Sequence, residues 1–450
     1  MTKKTRLIIL LACFALFLLI TPYTIMYSLG YRIDFENRKI VATGGIYVRA
    51  LPQSNTITID DDITGKPNIF TNAFFVQDLL PKEYNVLIAK DGYHSYQKRL
   101  TVKQNEVSKI EYVILFKKDI VFNPVSETAN FFSTSPDNTN LLIWHKQDPN
   151  NTLEVINLPT NQRKYAALEN ITGNITEALW SADSNKVLLN AEGKYFIADV
   201  SGQQITPLPV LAMQGATQPL FNPQNSNEIF FIKNGDIYTT ANPLPNIANA
   251  VDYVIDNQNI MWLATDGFLY NSNISGTTKS KITAEPLTTQ SEADYKLSLI
   301  SGYILLQQNN DLFLLNGDPN IFTSFYGPVK DIKVSPNGRK ILYFNDHEVL
   351  FSELNGQSPA NIFINRFSET ISDAYWINDD YFIFEMENKI IISELISEGS
   401  LNTAQLPTEL VLSTGDTLPI ADPEIFFNQQ DKKLYILMGD QVVASERLVP

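Results

Sequence analysis

The chain begins with a block of apolar residues rather than a rhythm. Lys3, Lys4 and Arg6 precede an apolar run from Leu7 to Tyr27, broken only by Thr21, Pro22 and Thr24. A run of about 21 residues, rising 1.5 Å each, predicts a helix that spans ~30 Å of hydrocarbon. Pro22 falls near its outer end, where a kink is tolerated. After residue 30 the pattern changes, and no stretch sustains a helical period. Short runs of β-branched and aromatic residues alternate with clusters of Asn, Asp, Gly and Pro, which predicts an all-β chain.

Residues 44–118 show this first. Strands are expected at Gly45–Arg49, Thr56–Ile59, Tyr84–Ile88, Tyr96–Val102 and Val107–Phe116. Turns are expected at Leu51-Pro52, Asp60-Asp61-Asp62, Leu80-Pro81-Lys82 and Asp91-Gly92. Three pieces of this segment, from Gly44 to about Val107, carry a family resemblance. They are Gly45-Ile46-Tyr47-Val48 leading to Leu51-Pro52, then Leu79-Leu80-Pro81-Lys82-Glu83-Tyr84-Asn85-Val86, then Lys90-Asp91-Gly92-Tyr93 followed by Tyr96. Together they resemble a PEGA domain, a small β-sandwich of bacterial surface proteins. The name-giving turn is here Pro52-Gln53-Ser54-Asn55, and the usual hairpin glycine is Lys82. The resemblance implies a passive or interaction module without catalytic residues.

From about residue 129 a unit recurs. One strand ends in an Asn/Asp/Ser-rich turn, a strongly apolar strand follows, and a third strand ends in a turn. Ala129–Asp137 with Leu141–Trp144, Glu177–Asp183 with Lys186–Leu189, and Gln218–Pro223 with Glu228–Phe231 are the first copies. Asp331–Gly338 with Lys340–Tyr343, Ala374–Asp379 with Tyr381–Phe384, and Glu424–Asn428 with Lys433–Ile436 are the later ones. Weaker copies fit near 252–263 and 296–306. A small sheet repeated at a period of about 40 residues buries its two apolar faces by packing copies around an axis, as propeller blades do. The Ser-Pro-Asp/Asn turn, with Trp180 and Trp376, resembles the blades of TolB and WD40-like propellers. Eight blades are expected over residues 119–450, or seven if a weak copy merges with a neighbour. The last unit has only three evident strands, and Asp119–Phe122 precedes the first unit without a partner. Pairing that strand beside the last unit would close the ring. Removal of residues 440–450, or a charge at Val121, is expected to open it.

Charge adds an asymmetry. Residues 1–43 carry six Lys/Arg against two Asp/Glu, residues 44–118 ten against eight, and residues 119–450 eighteen against thirty-nine. The acidic distal part argues against nucleic acid as a ligand. The basic leader predicts a cytoplasmic N-terminus, 1–6, a transmembrane signal-anchor over 7–27 and export of the rest. Residues 28–43 then read as a juxtamembrane linker. No small-x-small cleavage site follows the apolar run, which disfavours a removed signal peptide. Leu10-Leu11-Ala12-Cys13 follows too few apolar residues for a lipoprotein signal.

Candidate chemistry is sparse. Cys13 is the single cysteine and lies within the apolar run, so no disulfide framework forms within the chain. Asp60-Asp61-Asp62 lacks the further carboxylates of a Ca²⁺ loop and reads as a solvated turn, as does Asp379-Asp380. His94, His145 and His347 share no motif; His94 reads as a half-exposed strand position. Phe131, Phe132, Phe221, Phe230, Phe231, Phe426 and Phe427 could line a sugar-binding groove, but propeller cores are built of such residues. The acceptor triplets starting at Asn170, Asn174 and Asn273 read as chance occurrences. No nucleophile elbow, phosphate loop or zinc pair is present. The expectation is a non-catalytic, cofactor-free surface binding or scaffolding protein. Its partners would be the lipid bilayer and an unidentified protein or envelope polymer. A TolB-like envelope-assembly factor, or less readily a glycan-active propeller enzyme, are the alternatives.

Overall fold

The computed structural model describes residues 3–35, 37–146, 151–168, 171, 173–202, 204–290, 292–356, 359–395 and 400–450. The apolar block forms one helix, Lys3–Ser28, with Pro22 inside it. Its side chains are exposed nearly throughout, as an apolar helix without protein neighbours must be. After it the described residues are strand and turn, apart from one 3-10 turn at Leu211–Met213, and the chain separates into two compact units.

The first unit holds the helix, a short hairpin and a sandwich. The hairpin pairs Tyr31–Asp34 with Lys39–Ala42, where the sequence reading places only a linker. The sandwich has a three-stranded sheet, Ala73–Leu79 beside Gly44–Leu51 beside Val107–Ile114, the last pair parallel. Its other sheet runs in the order Ile63–Gly65, Thr56–Ile59, Glu83–Ala89, Tyr96–Thr101. Alternating residues of both sheets interlock in one core: Ile46 and Val48 from the first meet Ile57, Ile59, Val86 and Ile88 from the second, all fully buried. Period-2 alternation in each strand is what lets one face make this core while the other stays wet.

The second unit is a β-propeller. Seven four-stranded antiparallel sheets follow one another, beginning with strands Phe131–Thr134, Ile175–Trp180, Thr217–Asn222, Ala250–Asp256, Tyr295–Ile300, Asp331–Val334 and Ile371–Trp376. An eighth sheet contains Glu424–Phe427, Leu434–Met438 and Gln441–Ser445. The weak copies near 252–263 and 296–306 each lie in a sheet of their own. Each sheet is too thin to bury its apolar faces alone, so the core is a series of clusters between neighbours. One of these joins the last sheet to the first, through Tyr435, Leu437 and Val442 against Leu141, Ile143 and Ile156, and so the ring is closed.

The turn shared by the units has a common chemical plan. In Ser135-Pro136-Asp137-Asn138 the buried Ser135 hydroxyl donates to the Asp137 carboxylate at 2.6 Å and accepts the Asn140 N–H at 2.9 Å. Ser181 repeats this with Asp183 at 2.6 Å and Lys186 N–H at 2.9 Å, and Ser335 with Asn337 at 3.0 Å and Lys340 N–H at 2.9 Å. The fourth residue has positive φ in each case, at Asn138, Ser184 and Gly338 (58°, 58° and 72°). Asn and Gly are the residues that tolerate that conformation best. The motif tryptophans explain themselves similarly. The Trp180 indole N–H donates to Ser133 Oγ at 3.1 Å and that of Trp376 to the Lys333 carbonyl at 2.9 Å, each reaching back to the first strand of the preceding sheet.

Closure follows the strand count with two corrections. Val121–Ser126 pairs antiparallel with Gln441–Ser445, as the unpaired ends of the repeat predict. Two further strands, Glu409–Leu412 and Thr417–Pro419, then extend the eighth sheet outward, the first lying parallel to Val121–Ser126. Val121 is not the buried residue of the seam: it is 39% exposed, whereas Phe122 is fully buried. The alternation of the strand turns Val121 to solvent and Phe122 to the core.

Candidate functional site

The first strands of several neighbouring sheets meet one another, those of the sixth, seventh and eighth among them, and line the axis. On two of them a charged cluster forms. Lys333 Nζ lies 2.9 Å from Asp331, 3.0 Å from Asp373 and 4.5 Å from the centre of the Tyr375 ring. Burial works to lower the Lys333 pKa, but the carboxylates of Asp373 and Asp331 outweigh it and hold the ammonium protonated beyond its usual range. Burial likewise works to raise Asp331, and Lys333 outweighs it, so that the carboxyl stays below the ordinary range. Beside this cluster opens a cleft of 510 Å³, lined among others by Phe132, Asp373, Tyr375, Glu424 and Phe426. Burial pushes Glu424 up. Carboxylates set between aromatic faces form a lining that suits a cationic or amphipathic side chain.

A second cleft, of 530 Å³, lies along the closing seam. Glu154, 2% exposed, accepts from His145 Nε2 at 2.9 Å and from Arg163 Nη1 at 2.8 Å. Arg163 also donates to the Val125 carbonyl at 3.0 Å, and His145 Nδ1 lies 2.9 Å from the Thr128 carbonyl. The hydrogen bond that His145 donates to Glu154 raises the His145 pKa against the effect of burial. Burial works to raise Glu154, and its bonds to His145, Tyr165 and Arg163 overcome it. Thr128 Oγ1 is 3.0 Å from His145 Nδ1, an arrangement that superficially suits nucleophilic catalysis. Both imidazole nitrogens face acceptors, however, and a charged imidazole cannot take a hydroxyl proton. The cluster ties Val121–Ser126 and the turn after it to the first sheet.

Its pH dependence has two limbs. His145 contributes fully below its ordinary pKa of about 6.5 and loses that contribution as pH rises through the raised value. Glu154 contributes fully above its ordinary value and loses it as pH falls through the lowered one. Glu154→Gln is therefore expected to cost about 2–3 kcal/mol near pH 6, discounted because Arg163 is partly solvated. Thermal unfolding of variant and parent from pH 4 to pH 9 checks this. The gap should narrow at both extremes, and a constant gap would refute the coupled pair.

The residues weighed from sequence scatter. Asp60 caps a hairpin, accepting the Asn85 N–H at 2.8 Å and pairing with Lys82 at 3.0 Å. Asp379 accepts the Asn337 N–H at 3.1 Å, and Asp380 pairs with Lys340 at 3.3 Å, so both belong to turn packing. His94 is half-buried outside any strand, its pKa lowered by burial. His145 and His347 sit in the first and sixth sheets and are not brought together. Phe221, Phe230, Phe231 and Phe427 are core, whereas Phe132 and Phe426 line the axial cleft. The triplet at Asn170 lies outside the described residues. Asn174 is exposed, and the Asn273 side chain is consumed by the Thr277–Thr278 turn. Among the described residues no group of three or more His, Cys, Asp or Glu is arranged to hold a metal ion. The seam cluster was missed, although one signal marks it: Glu154 interrupts the otherwise apolar strand Leu153-Glu154-Val155-Ile156.

Comparison with known proteins bears on each unit separately. No curated protein sequence matches the chain. Among solved structures, Sqt1 of Saccharomyces cerevisiae is 10% identical over 74% of this chain and 99% of its own, with a TM-score of 0.47. The Dos1 propeller is 11% identical over 72% and 95%, with a TM-score of 0.47. The computationally designed Ika8 protein is 10% identical over 74% and 100%, with a TM-score of 0.46. Residues 43–115 match the PEGA domain family, and the chain thus joins a PEGA domain to a β-propeller.

Proposed function

We propose that this chain is a single-pass membrane protein that holds a PEGA domain and a propeller outside the cytoplasm and binds a protein partner through the axial cleft. The observation that carries the binding reading is the cleft itself. Phe132, Tyr375 and Phe426 stand beside Asp373 and Glu424 in a propeller whose described residues assemble no metal site. Aromatic walls supply contact area at low entropy cost, and the carboxylates select a basic or amphipathic segment. The anchor reading rests on the basic leader before an apolar helix whose mean hydropathy is 2.5 over residues that no protein surface covers. The role is scaffolding rather than turnover.

Two measurements test this. Protease added to spheroplasts should digest everything beyond about residue 30, and the mature protein should keep its first residues. A mature N-terminus beyond residue 20 would overturn the anchor. A photo-cross-linking residue at Phe426 should capture one discrete protein in intact cells, and Glu424→Lys should abolish that capture. Capture that survives Glu424→Lys would place the binding surface elsewhere.

A further inference from the structure

The hairpin after the helix has two unlike faces. Register pairs Ile33 with Ile40 and Tyr31 with Ala42, so Tyr31, Ile33 and Ile40 share one face, and the alternation carries Phe35 on to its tip. Arg32, Asp34, Lys39 and the single apolar Val41 occupy the other. Beyond Ala42, which is buried, the apolar face is open: Ile33 is 42% exposed, Ile40 55% and Phe35 83%. A two-stranded hairpin with a bare apolar face is marginal in water, which makes its rigid mounting informative.

That mounting is built from both sides. Gly30, at φ 82°, ends the helix by bonding its N–H to the Tyr27 carbonyl at 3.2 Å, and Thr43 returns an N–H to the Gly30 carbonyl at 2.9 Å. Arg32 is the rivet. Its guanidinium lies 3.5 Å from the centre of the Tyr27 ring, donates to the Tyr27 carbonyl at 2.8 Å and pairs with Asp78 of the sandwich at 2.9 Å. The hairpin is thereby fixed against the outer end of the apolar helix, with only Leu29 and Gly30 between them. Strands of four residues reach about 13 Å, the scale of the interfacial zone that borders the hydrocarbon.

We infer that this hairpin is a lipid-contacting foot: its apolar face sits in the headgroup–acyl boundary of the bilayer that the helix crosses. The inference rests on the anchor reading above. Continuity with the helix places the face at that boundary, and Tyr23, Tyr27 and Tyr31 continue the aromatic belt found there. Arg38 and Lys39 stand beside the face to meet lipid phosphates. Ile69 and Phe70, 89% and 96% exposed, provide an internal contrast. They cap a loop before Ala73, which pairs with Arg49 at the end of the sheet away from Gly44, where the chain enters. Exposure alone therefore does not define the foot; position does.

The test uses the full chain, with Cys13→Ser, reconstituted into vesicles of phosphatidylcholine and phosphatidylglycerol. A nitrobenzoxadiazole label is placed at Phe17→Cys, Phe35→Cys, Ile40→Cys or Ile69→Cys in separate variants. Deeply spin-labelled lipid should quench Phe17→Cys, and shallowly spin-labelled lipid should quench Phe35→Cys and Ile40→Cys. Ile69→Cys should respond to aqueous iodide alone. Quenching of Phe17→Cys by lipid while Phe35→Cys and Ile40→Cys respond only to iodide would overturn the foot and leave the anchor standing. Loss of lipid quenching at Phe17→Cys would overturn both. Protection of Phe35→Cys from both quenchers would show a protein, or a second copy of the chain, on that face and overturn the lipid assignment.

Discussion

Phe122→Ala is expected to destabilise the propeller by about 3–5 kcal/mol, while Val121→Asp one position away changes stability little. Phe122 is fully buried in the strand that completes the eighth sheet, opposite Ser445, and its carbonyl accepts the Ser413 N–H at 2.8 Å. Truncation leaves a cavity in the seam where the eighth sheet is completed by a strand from the other end of the propeller. Val121 points to solvent on the same strand. The four tryptophans all lie in the propeller, so chemical unfolding followed by their fluorescence reads this directly. Deletion of residues 440–450 removes the strand between Val121–Ser126 and Leu434–Met438 and should abolish cooperative unfolding altogether. Equal losses from Phe122→Ala and Val121→Asp would show that the seam does not depend on this face of the strand.

Asp252→Asn should act in the opposite direction, stabilising the protein by on the order of 3 kcal/mol at pH 8 and hardly at all at pH 4. Asp252 is 5% exposed on the first strand of the fourth sheet and accepts the backbone N–H of Leu297 in the fifth. Burial pushes its carboxyl up to about 7, and the N–H bonds offset only part of that. In the unfolded chain the group ionises near its ordinary value of about 3.9. A raised carboxyl favours the folded state at low pH. Its contribution declines as pH rises from the unfolded value through about 7 and is flat above. Asparagine keeps an acceptor for Leu297 and carries no charge to desolvate. The difference in melting temperature between variant and parent, followed from pH 4 to pH 8, should grow with pH, and a difference independent of pH would refute the buried-charge account.

Much of this architecture is written in period. The apolar block, the alternating strands of the sandwich and the Ser-Pro-Asp turns are local signals, and each corresponds to the element it predicts. What is hidden is relational. Alternation shows that Val121 and Phe122 face opposite ways, but not which faces inward, because that depends on strands more than 300 residues away. The hairpin at Tyr31–Ala42 escapes notice because its strands are four residues long and its apolar side chains are not buried against protein. Glu409–Leu412 and Thr417–Pro419 lie outside the repeat, on the rim, and so carry no copy to compare. The axial cluster is legible only after the ring is built. Asp331, Lys333 and Asp373 are ordinary polar positions of two strands until packing brings them within 3 Å.

The seam that joins Val121–Ser126 to Gln441–Ser445 also sets a timetable. Glu446 donates its N–H to the Val121 carbonyl at 2.8 Å, so the first strand of the propeller finds its partner only when the strand Gln441–Ser445 has been made. Chains are synthesised from the N-terminus, and local pairings form long before this one. Until then the growing propeller is an open arc whose first sheet, with Leu141, Ile143 and Ile156, lacks the neighbour that covers it. A chain that stops before Gln441 thus yields a long, nearly complete arc with an apolar flank and an unpaired edge. The arrangement makes a single late event report that the whole propeller has arrived.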